Sequence, residues 1–184
     1  MRVAVLALAL FVLDGFAHLD ARWVSLGGKE GTPPDVKLIK SSIDETVLEL
    51  EIKGYYEDEA PIQGENYVRI SLPGCYPILE KGMPDLPKIT ESLIIPDDKR
   101  MGYEVLKDEY IERVIKPVAP SKGHFTRDKN PEEIPYTFSE FYQRDEFFPE
   151  EVISLGDPFM SLIHISDRTR LGMISYAVFC LQQK

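Results

Sequence analysis

The 184-residue chain has little of what builds a metal centre, a disulfide-stapled domain or a nucleic-acid surface. Its only cysteines are Cys75 and Cys180, and its three histidines, His18, His124 and His164, are scattered singly. Two thiols permit at most one disulfide and no framework, and no Cys/His cluster has metal-ligand spacing. No metal and no cofactor is therefore expected. Basic residues are outnumbered, 21 Lys and Arg against 31 Asp and Glu, for a formal charge of −10 at pH 7. Nucleic acid and anionic lipid both demand clustered cations, so neither is an expected partner. An acidic surface suits solvation, or a basic protein partner. Ser25–Gly31 is glycine-rich but has neither the spacing nor the following helix of a phosphate loop. A nucleophile–base set is missing as well: Cys75, in Pro73-Gly74-Cys75-Tyr76, has no basic neighbour in sequence to lower its pKa. No catalytic residue is assigned.

What is present begins with an address. Met1-Arg2 carries one positive charge, Val3–Leu13 is apolar, and Ala17 and Ala21 offer small residues for cleavage. This is the order of a secretory signal peptide, expected over residues 1–21 and cut after Ala17 or Ala21. The apolar run, about eleven residues, is too short to span a bilayer as a helix, so no membrane span is expected. The alternative for this run is a buried N-terminal helix or strand. A secreted, extracytoplasmic location follows from the first reading. At 43% apolar, the remainder can bury one sizeable core.

From Arg22 to Met160 the pattern is one of strands and turns. Thr46–Lys53 sets Leu48, Leu50 and Ile52 on one face and Glu49, Glu51 and Lys53 on the other, the period of a half-buried strand. Tyr67–Leu72 repeats the alternation and stops at Pro73-Gly74. Leu93-Ile94-Ile95 ends at the turn Pro96-Asp97-Asp98-Lys99, and Tyr103–Leu106 and Tyr110–Val118 read as two further strands. The cluster Glu57-Asp58-Glu59 reads as a solvated hairpin tip. Short strands divided by Pro/Gly/Asp turns predict an all-β fold, an antiparallel β-sandwich over residues 22–160.

Ser121–Glu151 breaks that pattern. It is polar, aromatic and punctuated by Pro131, Pro135 and Pro149, which argue against a long helix. A short helical turn is expected at Thr137–Tyr142, capped by Thr137 or Ser139. The rest reads as a long loop pinned to a surface by its aromatics, and such loops tend to be functional or disordered.

Gly82-Met83-Pro84-Asp85-Leu86-Pro87, followed by Leu93-Ile94-Ile95-Pro96, resembles the G-x-P-x-L-P signature of gingipain-type cysteine peptidase propeptides. Pro117-Val118-Ala119-Pro120 resembles a second element of that family, and Glu151–Phe159, with Gly156 and Pro158, a third. The signature residues are thus Gly82, Pro84, Leu86, Pro87, Pro96, Gly156 and Pro158. The resemblance implies a β-sandwich prodomain preceding a caspase-like catalytic domain. It implies a non-catalytic segment that aids folding and maintains latency. The partner is then the cognate cysteine peptidase catalytic domain, in cis in the full-length precursor. An inhibitory loop offering a basic residue to that domain has three candidates here: Arg127, Lys129 and Arg144. Against each stands the plainer reading of a solvated loop charge.

A second function remains open, an exported β-sandwich adhesion or carbohydrate-binding module. Tyr55, Tyr56, Tyr76, Tyr136, Phe138, Tyr142 and Phe147 would form its sugar platform. The last residues stand apart. Ile174–Leu181 resembles the conceptual translation of a common short-read sequencing adapter, and Asp167–Leu171 an upstream part of it. Residues 161–184 are therefore expected to be a non-native tail on a sandwich incomplete at its C-terminus, so no Cys75–Cys180 disulfide is expected. A genuine apolar C-terminal strand is the alternative that their composition permits.

Overall fold

The computed structural model describes residues 21–93, 101–144, 148–149, 153–154, 159–160, 163–166 and 170–183. Residues 1–20 of the expected signal peptide, the turn at Pro96–Lys99, Phe147, Gly156 and Pro158 lie outside them. Among the described residues twelve strands follow in order: β1 (Arg22–Ser25), β2 (Asp35–Ser41), β3 (Glu45–Glu51), β4 (Gly54–Ile62), β5 (Glu65–Ser71), β6 (Tyr76–Pro77), β7 (Pro87–Lys88), β8 (Met101–Val114), β9 (Ile153–Ser154), β10 (Phe159–Met160), β11 (Ile163–Ser166) and β12 (Arg170–Gln183). Helix is limited among the described residues to two 3₁₀ turns, Pro131–Glu133 and Glu140–Gln143. The all-β, antiparallel architecture expected from the sequence is what forms.

Two sheets carry the core. The smaller runs β1-β4-β5; the larger runs β11-β12-β3-β2, with β8 on the other side of β12. The predicted period of two is realised in β3, where Thr46, Leu48 and Leu50 are buried while Glu45, Val47, Glu49 and Glu51 are only partly so. Ile52 continues the buried row and its N–H donates to Ser175 O at 2.8 Å. The chain then leaves the large sheet and enters the small one at Gly54. A Cβ at Gly54 would run into the Trp23 indole and come 2.7 Å from Val24 O, so only glycine lets β1 lie this close. The β4–β5 hairpin closes at Gln63-Gly64, both at positive φ (52° and 87°), the twist that suits a two-residue hairpin.

That hairpin corrects one expectation. Glu57-Asp58-Glu59 is not a tip but the middle of β4. Glu57, its side chain only 15% exposed, is bracketed by Arg22 at 2.9 Å and Arg113 at 3.4 Å, and Arg113 also donates to the buried Tyr55 hydroxyl. One carboxylate thereby ties β1, β4 and β8. A second correction concerns the two expected strands at Tyr103–Leu106 and Tyr110–Val118. They are one strand, β8, which runs unbroken through Lys107-Asp108-Glu109 and ends at Val114.

Arg170–Gln183, part of the segment expected to be foreign, forms the central strand of the large sheet. β12 pairs with β8 along its length and with β3 over Tyr176–Gln182. Leu171, Met173, Ala177, Phe179 and Leu181 are buried. Apolar alternation suffices for this place, whatever the genetic origin of the residues.

Candidate functional site

The excursion after β8 is built on the signature segment. Pro117–Pro120 is a rung between β5 and residues 83–85. The Val68 N–H donates to Pro117 O at 2.9 Å, Ala119 N–H to Val68 O at 2.7 Å, and Asp85 N–H to Ala119 O at 2.9 Å. Pro84 and Pro120 face each other in an antiparallel bridge. Prolines serve here because those backbone positions have no donor to satisfy. Val118 and Ala119, at 1% exposure each, and Leu86, at 0%, fill the space beneath. The two family-like elements, 82–87 and 117–120, are thus packed against one another.

Beyond Pro120 the chain leaves as a loop and returns at Ser139. Ser121 is buried; its N–H donates to Met83 O at 2.7 Å and its carbonyl accepts from Gly82 N–H at 2.9 Å. The Gly82 carbonyl in turn accepts from Ser139 N–H at 3.0 Å. Within the loop, Lys122 Nζ donates to Pro131 O at 2.6 Å and lies 4.4 Å from the Tyr136 ring centroid. The Tyr136 hydroxyl accepts from Arg69 at 2.5 Å. Asn130 caps the first 3₁₀ turn through its side-chain oxygen, which accepts from Glu132 N–H at 3.1 Å. The expected helical turn near Thr137–Tyr142 is the second 3₁₀ turn, and Ser139 is its N-cap residue. Its hydroxyl caps nothing and contacts Met83 Sδ at 3.0 Å instead.

The aromatics pin the loop as expected, and they do so from the core. Phe141, Tyr142 and Phe148 are buried, stacked edge-on with centroids 5.7 Å and 6.0 Å apart. The Tyr142 hydroxyl donates to Val118 O at 2.7 Å, and burial pushes its pKa far above the ordinary phenol value. Beneath lies Asp85, whose Oδ1 is buried without a partner; burial raises its pKa, and Arg69 partly offsets this.

Of the three basic candidates, two come together. Arg127 and Lys129 share the exposed turn at the loop tip, closed by Lys129 N–H donating to Thr126 O at 3.1 Å. Arg144 is elsewhere, on the second 3₁₀ turn's C-cap and paired with Glu140. The residues that hold the loop, Gly82, Lys122 and Arg69, carry no sequence signal of that role except Gly82's place in the signature. The aromatics of the alternative reading do not make a platform among the described residues. Tyr55 and Tyr142 are buried, Tyr56 meets Trp23 edge-on at 5.0 Å, and Phe138 meets Tyr142 at 82°. Tyr76 is exposed on another strand.

Cys75 is half-buried with its thiol pKa raised by burial, which makes it less nucleophilic, and both cysteines are free. Among the described residues no group of three or more His, Cys, Asp or Glu side chains is placed to hold a metal ion, and no helix is long and apolar enough to cross a membrane.

Comparison with known proteins meets this geometry. The family model Propeptide_C25 matches residues 28–164. Gingipain R1 of Porphyromonas gingivalis is 34% identical over 133 residues, 71% of this chain and 13% of its own length. Gingipain R2 of the same species is 42% identical over 83 residues, 45% of this chain and 11% of its own. The chain therefore spans only about an eighth of these relatives. Among solved structures, the complex of P. gingivalis RgpB pro- and mature domains aligns at a TM-score of 0.73, with 23% identity, over 83% of this chain and 86% of that one. A structure of gingipain K from P. gingivalis, described as giving insight into zymogenic latency, aligns at 0.71 with 12% identity, over 90% of this chain and 99% of that one. A match over most of the chain, taking in the signature at Gly82–Pro87 and the Pro117–Pro120 rung it packs on, settles the lineage: this chain belongs to the Propeptide_C25 family, the non-catalytic propeptides of gingipain-type cysteine peptidases.

Proposed function

We propose that this segment holds a secreted gingipain-type cysteine endopeptidase latent, and assists its folding, by presenting the loop 122–138 to the substrate cleft of the catalytic domain. The observation that carries this is the loop itself: two exposed cations, Arg127 and Lys129, at the tip of a segment anchored at both ends on the family signature. An extended loop on a rigid sandwich binds without a large ordering cost, because its shape is set beforehand. Arg144 lies apart from that tip, at the C-cap of the second 3₁₀ turn, and serves as the comparison. Export by residues 1–21 fits the same reading. The family match stops at residue 164, close to residue 161, where the foreign tail is taken to begin. We accordingly assign residues 161–184 to read-through that occupies the place of a native strand.

The test is inhibition in trans. The chain is titrated against the mature domain of gingipain R1, and Arg127→Ala/Lys129→Ala is compared with Arg144→Ala. Truncating a buried interfacial charge costs about 2–5 kcal/mol, so the double variant should inhibit about thirtyfold or more weakly. Arg144→Ala should inhibit as the unaltered chain does. Equal inhibition by all three proteins would sink the proposal.

A further inference from the structure

We infer that Gly82 is the positioning residue of the loop, a backbone clamp that fixes both of its feet and so sets where the tip lies. The inference rests on the latency reading above and adds to it the device that prepares the loop. A single glycine holds both ends: its N–H donates to Ser121 O at 2.9 Å and its carbonyl accepts from Ser139 N–H at 3.0 Å. Residues 121 and 139 flank the loop immediately, so the two bonds close it at its base. The neighbours reinforce the grip. Met83 O accepts from Ser121 N–H, and Met83 Sδ lies 3.0 Å from Ser139 Oγ. On the outgoing side, a Cβ at Gly123 would come 2.8 Å from Lys81 Cβ, so the chain there is pressed against residue 81 as well.

Position 82 demands glycine for two separate reasons. Its φ of +83° lies where a side chain is strained, and an added Cβ would come 3.2 Å from Ser139 N and 3.5 Å from Thr137 O. Strain and crowding both fall on the returning foot. The contacts inside the loop, Lys122 to Pro131 and Tyr136 to Arg69, brace it but do not fix its ends. Without the clamp the loop samples many shapes, and ordering it on binding costs conformational entropy for each residue fixed.

Two perturbations test this in the whole chain. In Gly82→Ala the backbone strain is matched by Gly64→Ala, whose φ is +87° and whose Cβ would meet nothing within 4 Å, in the distant β4–β5 turn. Ser139→Pro removes the N–H bonded to Gly82 at a backbone angle proline accepts, φ −76°, and removes the hydroxyl with it; Ser139→Ala controls for the hydroxyl. Inhibition of mature gingipain R1, thermal midpoint and amide exchange are measured for each. Gly82→Ala and Ser139→Pro should each inhibit about tenfold or more weakly, the loss expected when a released loop residue must be ordered again on binding. Gly64→Ala and Ser139→Ala should inhibit as the unaltered chain does, with Gly64→Ala losing thermal stability through the shared backbone strain and Gly82→Ala losing somewhat more through its added crowding. The Ser121 and Gly82 amides should exchange faster in Ser139→Pro than in Ser139→Ala. Unchanged inhibition by Ser139→Pro, or equal weakening by Gly64→Ala, would overturn the clamp. If the unaltered chain fails to inhibit, the latency reading falls, and the exchange comparison still decides whether Gly82 clamps the loop.

Discussion

Replacing Phe179 by alanine asks whether the central strand of the large sheet is part of the folded core. Phe179 is 1% exposed and lies in β12 opposite Leu48 on one side and Val105 on the other. Removing a buried phenyl ring loses its transfer free energy and leaves a cavity, together about 3–5 kcal/mol. Its neighbour Val178 points to the opposite face, pairs with Glu49 and Lys107, and is only partly buried. Val178→Ala should therefore cost about 1 kcal/mol or less. In a domain of this size each kcal/mol lowers the midpoint by about 2–4 °C, so Phe179→Ala should melt about 10 °C lower. Urea unfolding followed by tryptophan fluorescence, from Trp23 in β1, reads the same loss in a different sheet. A Phe179→Ala cost below about 1 kcal/mol, or one equal to that of Val178→Ala, would refute the placement of β12.

Two further outcomes follow from the packing and the reading frame. Burial raises the Asp85 pKa, so the folded state binds its proton more tightly than the unfolded state does. Its contribution is most favourable below the unfolded aspartate value and is lost as pH rises through the folded one. Asp85→Asn should thus gain in stability relative to the unaltered chain as pH rises above the unfolded aspartate value, about 4, measured as urea midpoints; a difference independent of pH would contradict this. The gene sequenced past the codon for Phe159 should continue with alternating apolar strand and lack Ile174–Leu181; an in-frame genomic continuation through Leu181 would refute the foreign-tail assignment.

The local parts of the fold were legible and the distant ones were not. Leu48, Leu50 and Ile52 declare a strand because one face of β3 is buried and the other wet. Pro73-Gly74 declares a turn by its own backbone limits. β8 hides its continuity because it is an edge with Tyr103 to Tyr110 all exposed, so no buried row marks its length. Three adjacent acids at 57–59 suggest solvent, since the arginines that bind Glu57 lie 35 and 56 residues away. The loop was visible as a loop, and Arg127 and Lys129 as its charges. What separates them from Arg144 is place, since Arg144 sits at the C-cap of a 3₁₀ turn whose type and limits the sequence does not fix. The clamp at Gly82 escaped because its partners, Ser121 and Ser139, are held by backbone atoms, which carry no residue-type signature.

The place of β12 has a consequence in time. Tyr176 bonds Glu49 across 127 positions of sequence, and β8 meets β3 only through β12. As the chain emerges from the ribosome, the β2–β3 and β4–β5 hairpins can form from neighbours, whereas β3 and β8 keep open edges until a strand fills the place that β12 takes here. Contacts this remote slow folding, because the ends of a long loop must meet before any pairing compensates for it. Until then the longest unpaired edge, β8, shows water Glu104, Lys107, Asp108, Glu109 and Glu112 among its apolar residues, charges that discourage a second chain from taking the vacant place.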